Sequence, residues 1–99
     1  MAGFQMSTEA SDELAEAVRW YEHQRSGLGA EFFDAIARAV DLIRTNPAIG
    51  NLRQARLPTR QFLLRQFPYK IIYRERDDEI YIVAVAHTAR RPNYWKDRH

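Results

Sequence analysis

Between Ala84 and Trp95 the chain reads AVAHTARRPNYW, an apolar run that ends in a histidine, two arginines, a proline, a tyrosine and a tryptophan. Histidine is the side chain suited to acid or base work near neutral pH, so His87 can take such a role, or it can serve as a hydrogen-bonding residue at a strand end. Arg90 and Arg91 are suited to gripping phosphate or carboxylate, and equally to keeping the protein soluble. Tyr94 and Trp95 offer ring faces for stacking on nucleic-acid bases. The favoured alternative is that these amphipathic aromatics dock the tail on a sheet. A second group of cations stands upstream: residues 51–76 carry Arg53, Arg56, Arg60, Arg65, Lys70, Arg74 and Arg76 against the single acid Glu75. Like charges on neighbouring strands repel, so this density of cations implies an anionic partner.

Other chemistries find no support. His23, His87 and His99 are too far apart for a metal-ligand spacing, and the chain has no cysteine, which removes disulfides and zinc–thiolate sites. The GLG at residues 27–29 lacks the flanking strand and lysine of a phosphate loop. Glu13 and Glu16, beside Asp12, read as a solvated acidic face. No cofactor and no metal are expected.

The charge is divided along the chain. Residues 1–50 hold four arginines against eight acids, and residues 51–99 hold eleven basic residues against five acids. Thirteen of the fifteen basic residues are arginine, the side chain whose planar fork matches phosphate and carboxylate. One cationic face on a single domain of 99 residues is the expectation. The N-terminal stretch resembles no signal peptide, and the longest apolar run, IYIVAVA, is far short of the ~18 residues of a membrane span. A cytoplasmic location is expected.

The elements that position these residues follow from periodicity. Phe4 and Met6 alternate with Gln5 in a short first strand. Ser7 caps a helix with Glu9 and Asp12 near its positive end, and Leu14, Val18 and Tyr21 form its stripe. Gly27 and Gly29 break it. Phe32, Ile36, Val40 and Ile43, widened by Phe33 and Ala37, mark a second helix that stops before Pro47. Trp20, Tyr21, Phe32 and Phe33 are expected to pack the core or the helix pair. The period then changes to two: RQFLLRQF and YKIIYRER, separated by Pro68, and EIYIVAVAH read as strands, with Asp77-Asp78 closing a tight hairpin. Lys70, Ile72, Arg74 and Arg76 share one face of their strand, and Tyr69, Ile71 and Tyr73 the other. The order β-α-α-β-β-β predicts an α+β fold, a small antiparallel sheet with the helical hairpin packed on one face.

Two helices followed by RQFLLRQFPYKIIYRERDDEIYIVAVAHTARRPNYW resemble the RelE/ParE superfamily of toxins from bacterial type II toxin–antitoxin systems. The resemblance runs over nearly the whole chain and is strongest in RQFPYKIIYR, DDEIYIVAVAHTARRP and GLGAEFFDAI. It implies a β-α-α-β-β-β fold and a cognate antitoxin that lays an acidic or amphipathic C-terminal segment over the toxin. RelE-like members cut mRNA on the ribosome, using basic residues on the central strands and a C-terminal Tyr or His. Carried onto this sequence, that role falls to Arg65, Lys70, His87 and Tyr94. ParE-like members poison DNA gyrase without cutting. In either case Arg56, Arg60, Arg74, Arg76, Arg90, Arg91 and Trp95 are the candidates for contact with target or antitoxin. The strand that often bears a lysine pair in RelE-like enzymes reads Gln61-Phe62-Leu63 here, and the FPY corner and AHTARRPNYW end look ParE-like. The gyrase-directed toxin is the preferred reading. A ribosome-dependent mRNA endonuclease and a non-toxic peptide-binding module of the same fold are the alternatives.

Overall fold

A computed structural model describes residues 1–54 and 58–98, with the backbone alone for residues 53 and 54. Arg56 therefore lies outside the described residues. The chain runs β1 (Phe4–Met6), α1 (Thr8–Gln24), α2 (Leu28–Thr45), a 3-10 turn (Pro47–Ile49), β2 (Asn51–Gln54), β3 (Thr59–Leu63), β4 (Tyr69–Arg76) and β5 (Glu79–His87).

Local chemistry accounts for the helices. The Ser7 hydroxyl accepts the Ala10 N–H at 3.0 Å, an N-cap for α1, and donates to the Val83 carbonyl at 3.0 Å, which ties the helix start to the sheet. Gly27 (φ 90°) makes the left-handed turn into α2. The Glu22 carboxylate accepts the N–H groups of Gly27 and Gly29 at 3.0–3.1 Å, filling donors that a helix start leaves empty. Phe32, Ala35, Ile36, Ala39, Val40 and Ile43 form the buried stripe of α2. Trp20 and Phe33 are 59% and 51% exposed, contrary to expectation. Each stands one residue, about 100° of helical turn, off the buried stripe that Tyr21 and Phe32 occupy.

The sheet is five-stranded in the order β1-β5-β4-β3-β2. Its successive strands are antiparallel, but β1 joins the edge parallel to β5. Asp77 and Asp78 both have left-handed backbone (φ 51° and 63°), the two-residue hairpin turn their types allow. β2 is a strand the sequence pattern did not reveal. It has four residues and a register shift between Leu52 and Gln54, too short and irregular for an alternation to show. β3 ends at Leu63, earlier than RQFLLRQF implied, because the chain bends so that Leu64 and Phe67 pack against the core. Gly50 is wedged here: a Cβ would fall 2.8 Å from the Tyr73 hydroxyl, which accepts the Gly50 N–H and donates to the Pro47 carbonyl at 2.6 Å.

The main core lies between helices and sheet, with Tyr21, Phe32, Ile36, Ile43, Ile71, Tyr73, Ile80, Ile82 and Val85 among its members. A second, smaller core lies on the outer face and joins Ile72, Val83, Ala84 and Trp95. The register shift opposite Ile72/Tyr73 is a bulge in β5. Val83 and Ala84 both belong to the outer core, and Val85 returns to the inner one.

The amides of Gly27 and then Gly29 hold the Glu22 carboxyl below its ordinary value of 4.5. A depressed folded value contributes stability that is fully present above the unfolded pKa and is lost as pH falls through the folded one. Glu22→Gln is therefore expected to lose less melting temperature than the parent between about pH 6 and about pH 2, measured by thermal melts across that range.

Candidate functional site

Residues 88–98 leave the end of β5 in a series of turns and fold back over the sheet. One carboxylate holds them. Arg98 donates to Glu13 Oε1 at 2.9 Å and Oε2 at 3.1 Å, and the Tyr94 hydroxyl donates to Oε2 at 2.6 Å. The Val85 N–H donates to Oε1 at 3.0 Å. The Arg98 and Glu13 side chains are 17% and 15% exposed. Glu13 is thus no solvated face but the anchor of the C-terminal segment. Its signal in the sequence was absent, because its partners lie more than seventy residues away.

Beside this clasp, Glu13, Glu16, Trp20, Tyr69, His87 and Arg90 line a cleft of about 250 Å³ between α1 and the end of β5. His87 Nδ1 accepts the Ala89 N–H at 3.0 Å. The ring meets Tyr69 edge-on at 5.1 Å. Burial, and then the charges of Tyr21, Glu13 and Glu16, raise the Tyr69 hydroxyl above its ordinary value. Burial first, then its bond to Glu13, raise Tyr94 well above the usual phenol range. Arg90 and Arg98 lie against the Tyr94 ring at 3.9 and 5.0 Å.

The candidate residues therefore scatter. His87 and Arg90 line the cleft, and Tyr94 lies against Arg90 beside it. Lys70 stands opposite Ala86 on the outer face. Arg65 lies in the bend after β3, rather than at a strand end, and lines a groove against α2. Arg60 donates to the Gly50 carbonyl at 2.9 Å and braces β2. Arg74 is buried, whereas Arg76 is exposed and rests on the Tyr81 ring at 4.3 Å. Arg91 is exposed. Trp95 is 1% exposed and fills the outer core, so as folded its ring offers no surface to a partner. Docking of the tail, the favoured reading of Tyr94 and Trp95, is what the geometry has.

The groove that holds Arg65 is the larger depression, about 540 Å³. Ala35, Ala39, Leu42, Ile49, Phe62 and Leu63 supply apolar walls, with Arg38 and Arg65 beside them. Leu42 and Leu63 are each more than half exposed. Among the described residues no three His, Asp or Glu side chains are grouped to hold a metal ion, and no helix is long and apolar enough to cross a membrane.

A helical hairpin on one face of a mixed sheet, with a cationic outer face and an arginine-flanked apolar groove, defines a small α+β domain built around surfaces. The family described as ParE toxin of type II toxin–antitoxin system, parDE, matches residues 4–92, and the chain belongs to it. It is thus a toxin of the type II class, a class that implies an antitoxin partner. Its fold is similar to that of a chain of the chromosomal ParDE TA system from P. aeruginosa, with a TM-score of 0.62 and 18% identity over 88% of this chain and 96% of that one. No curated protein matches it at a significant level.

Glu13→Gln weakens the charge pairing that holds Arg98. In a Trp20→Phe background, where Trp95 is the only tryptophan, this change is expected to red-shift the emission and to lower stability by about 1–3 kcal/mol in urea unfolding.

Proposed function

We propose that this toxin acts by binding rather than cutting, with DNA gyrase as its target, and that its antitoxin docks in the groove between α2 and the β3 bend. The observation that carries the first part is the engagement of the acid–base candidates. Tyr94 has its hydroxyl on Glu13, His87 has Nδ1 on a backbone amide, and Lys70 and Arg65 stand on other surfaces. General acid–base cleavage needs such groups converging within hydrogen-bond reach of one reacting centre. A poison that works through contact needs a shaped surface, and the cationic sheet with its tail supplies one. The reading puts the protein in the cytoplasm with its target.

The antitoxin assignment rests on complementarity. An amphipathic segment would bury Leu42 and Leu63 along its apolar side and set carboxylates against Arg38 and Arg65. A partner that binds only the folded toxin also stabilises it.

Two experiments test this. Expression of the protein alone is expected to produce gyrase-dependent DNA breaks while mRNA on translating ribosomes stays intact. Codon-positioned mRNA cuts without breaks would overturn the reading. Leu63→Asp places a charge in the apolar wall and is expected to weaken binding of the cognate antitoxin by tenfold or more, about 1.4 kcal/mol, in titration calorimetry, with the thermal melt of the free toxin little changed.

A further inference from the structure

Arg74 is 8% exposed, which places a cation almost wholly inside the protein. Its Nη2 donates to the Arg98 carbonyl at 2.7 Å. Its Nε is the one buried side-chain nitrogen or oxygen among the described residues with no hydrogen-bond partner. Other arginines are provided for: Arg98 has Glu13, Arg44 the Ala2 carbonyl, and Arg60 the Gly50 carbonyl. Arg74 instead has a like charge beside it. Burial, and then Arg76, push its guanidinium below the ordinary arginine value. Both guanidinium groups lie over the Tyr81 ring, Arg76 at 4.3 Å and Arg74 at 5.9 Å. Among the described residues no carboxylate pairs with Arg74, and a buried cation without a counter-charge and a buried donor without an acceptor are each costly. Such an orphan in a native fold calls for an ion or an ordered water.

We propose that the outer face of the sheet carries a phosphate-binding site, in which one phosphate group accepts hydrogen bonds from Arg74 Nε and from the Arg76 guanidinium, above the ring of Tyr81. Two adjacent forks fit a tetrahedral oxyanion with several acceptor oxygens, and a dianion neutralises both cations where a carboxylate neutralises one. Arg76, exposed at the strand end beside the buried Arg74, is the entrance to the site. The site is separate from the Glu13 cleft and from the antitoxin groove, and does not depend on the gyrase reading.

The test uses full-length protein with 15N-labelled arginine. The Arg74 Nε–Hε resonance is followed during titration with inorganic phosphate at constant ionic strength, with chloride as the control. A saturable shift at Arg74 is expected, with affinity reduced tenfold or more in Arg76→Gln, an exposed position where the fold is not at risk. A second arm replaces inorganic phosphate with 5′-AMP. Tighter binding assigns the site to a nucleotide phosphate, and equal or weaker binding assigns it to the free ion. A response no greater than that to chloride, a shift that does not saturate, or an affinity unchanged by Arg76→Gln would overturn the proposal and leave Nε to water.

Discussion

Strand β5 is paired with β1 only as far as Ile82, because β1 ends at Met6. Beyond that point the bulge leaves the Val83 carbonyl and the Val85 N–H on an open edge, inside the protein and without a strand to receive them. Unpaired backbone groups in such a place cost about 1–3 kcal/mol each. Side chains do what a longer β1 would have done. Ser7 and Arg98 donate to the Val83 carbonyl, and Glu13 accepts the Val85 N–H. The same Glu13 then has one oxygen free for Tyr94, and both for Arg98. Closure of the sheet edge, the start of α1 and the docking of the C-terminal segment are therefore one hydrogen-bonded unit. The outer core follows from it, since Trp95 reaches Ile72 and Val83 only while the segment on either side is held.

This arrangement bears on how the surfaces divide. The helix side of the sheet is largely consumed by the main core, and the groove beside α2 and the cleft between α1 and the end of β5 stay open there. The outer side has lost its centre to Trp95. Cations stand around that covered centre: Lys70 at one end of β4, Arg74 and Arg76 at the other, and Arg90 against Tyr94 at the rim. A charge distribution that looked like one uninterrupted basic face is thus a ring of separate positions. Each has its own neighbours, and among the described residues only Arg74 keeps a buried side-chain nitrogen without a hydrogen-bond partner.

Much of the fold was legible because its signals are local. Helix periodicity, the Ser7 cap, Gly27, and Asp77-Asp78 between two alternating runs each act over a few residues, and all appear where their chemistry implies. β2 escaped because four residues, three of them polar, are too few to carry a pattern. The parallel pairing of β1 escaped because a three-residue strand does not encode its partner. Trp20 and Phe33 were misplaced because an aromatic residue next to an apolar stripe reads as part of it, while rotation about the helix decides which side faces water. Arg65 was set on a strand whose alternation breaks at Leu64, where the core takes in two successive apolar positions of the bend.

The candidate site divides along the same line. By itself the sequence determined that the chain ends in a His–Arg–aromatic tail, that its cations are mostly arginine and lie in the second half, and that a helical hairpin precedes the strands. Composition and short-range spacing suffice for these. Only the tertiary structure decided which of those groups are free. Glu13 and Arg98 meet across 85 positions of chain, Ser7 and Val83 across 76. Contacts of that range leave no periodic trace, because they are selected by the packing of whole elements against one another. A tyrosine that reads as a proton carrier is a clasp for this reason, and an arginine that reads as surface charge is buried beneath a tail.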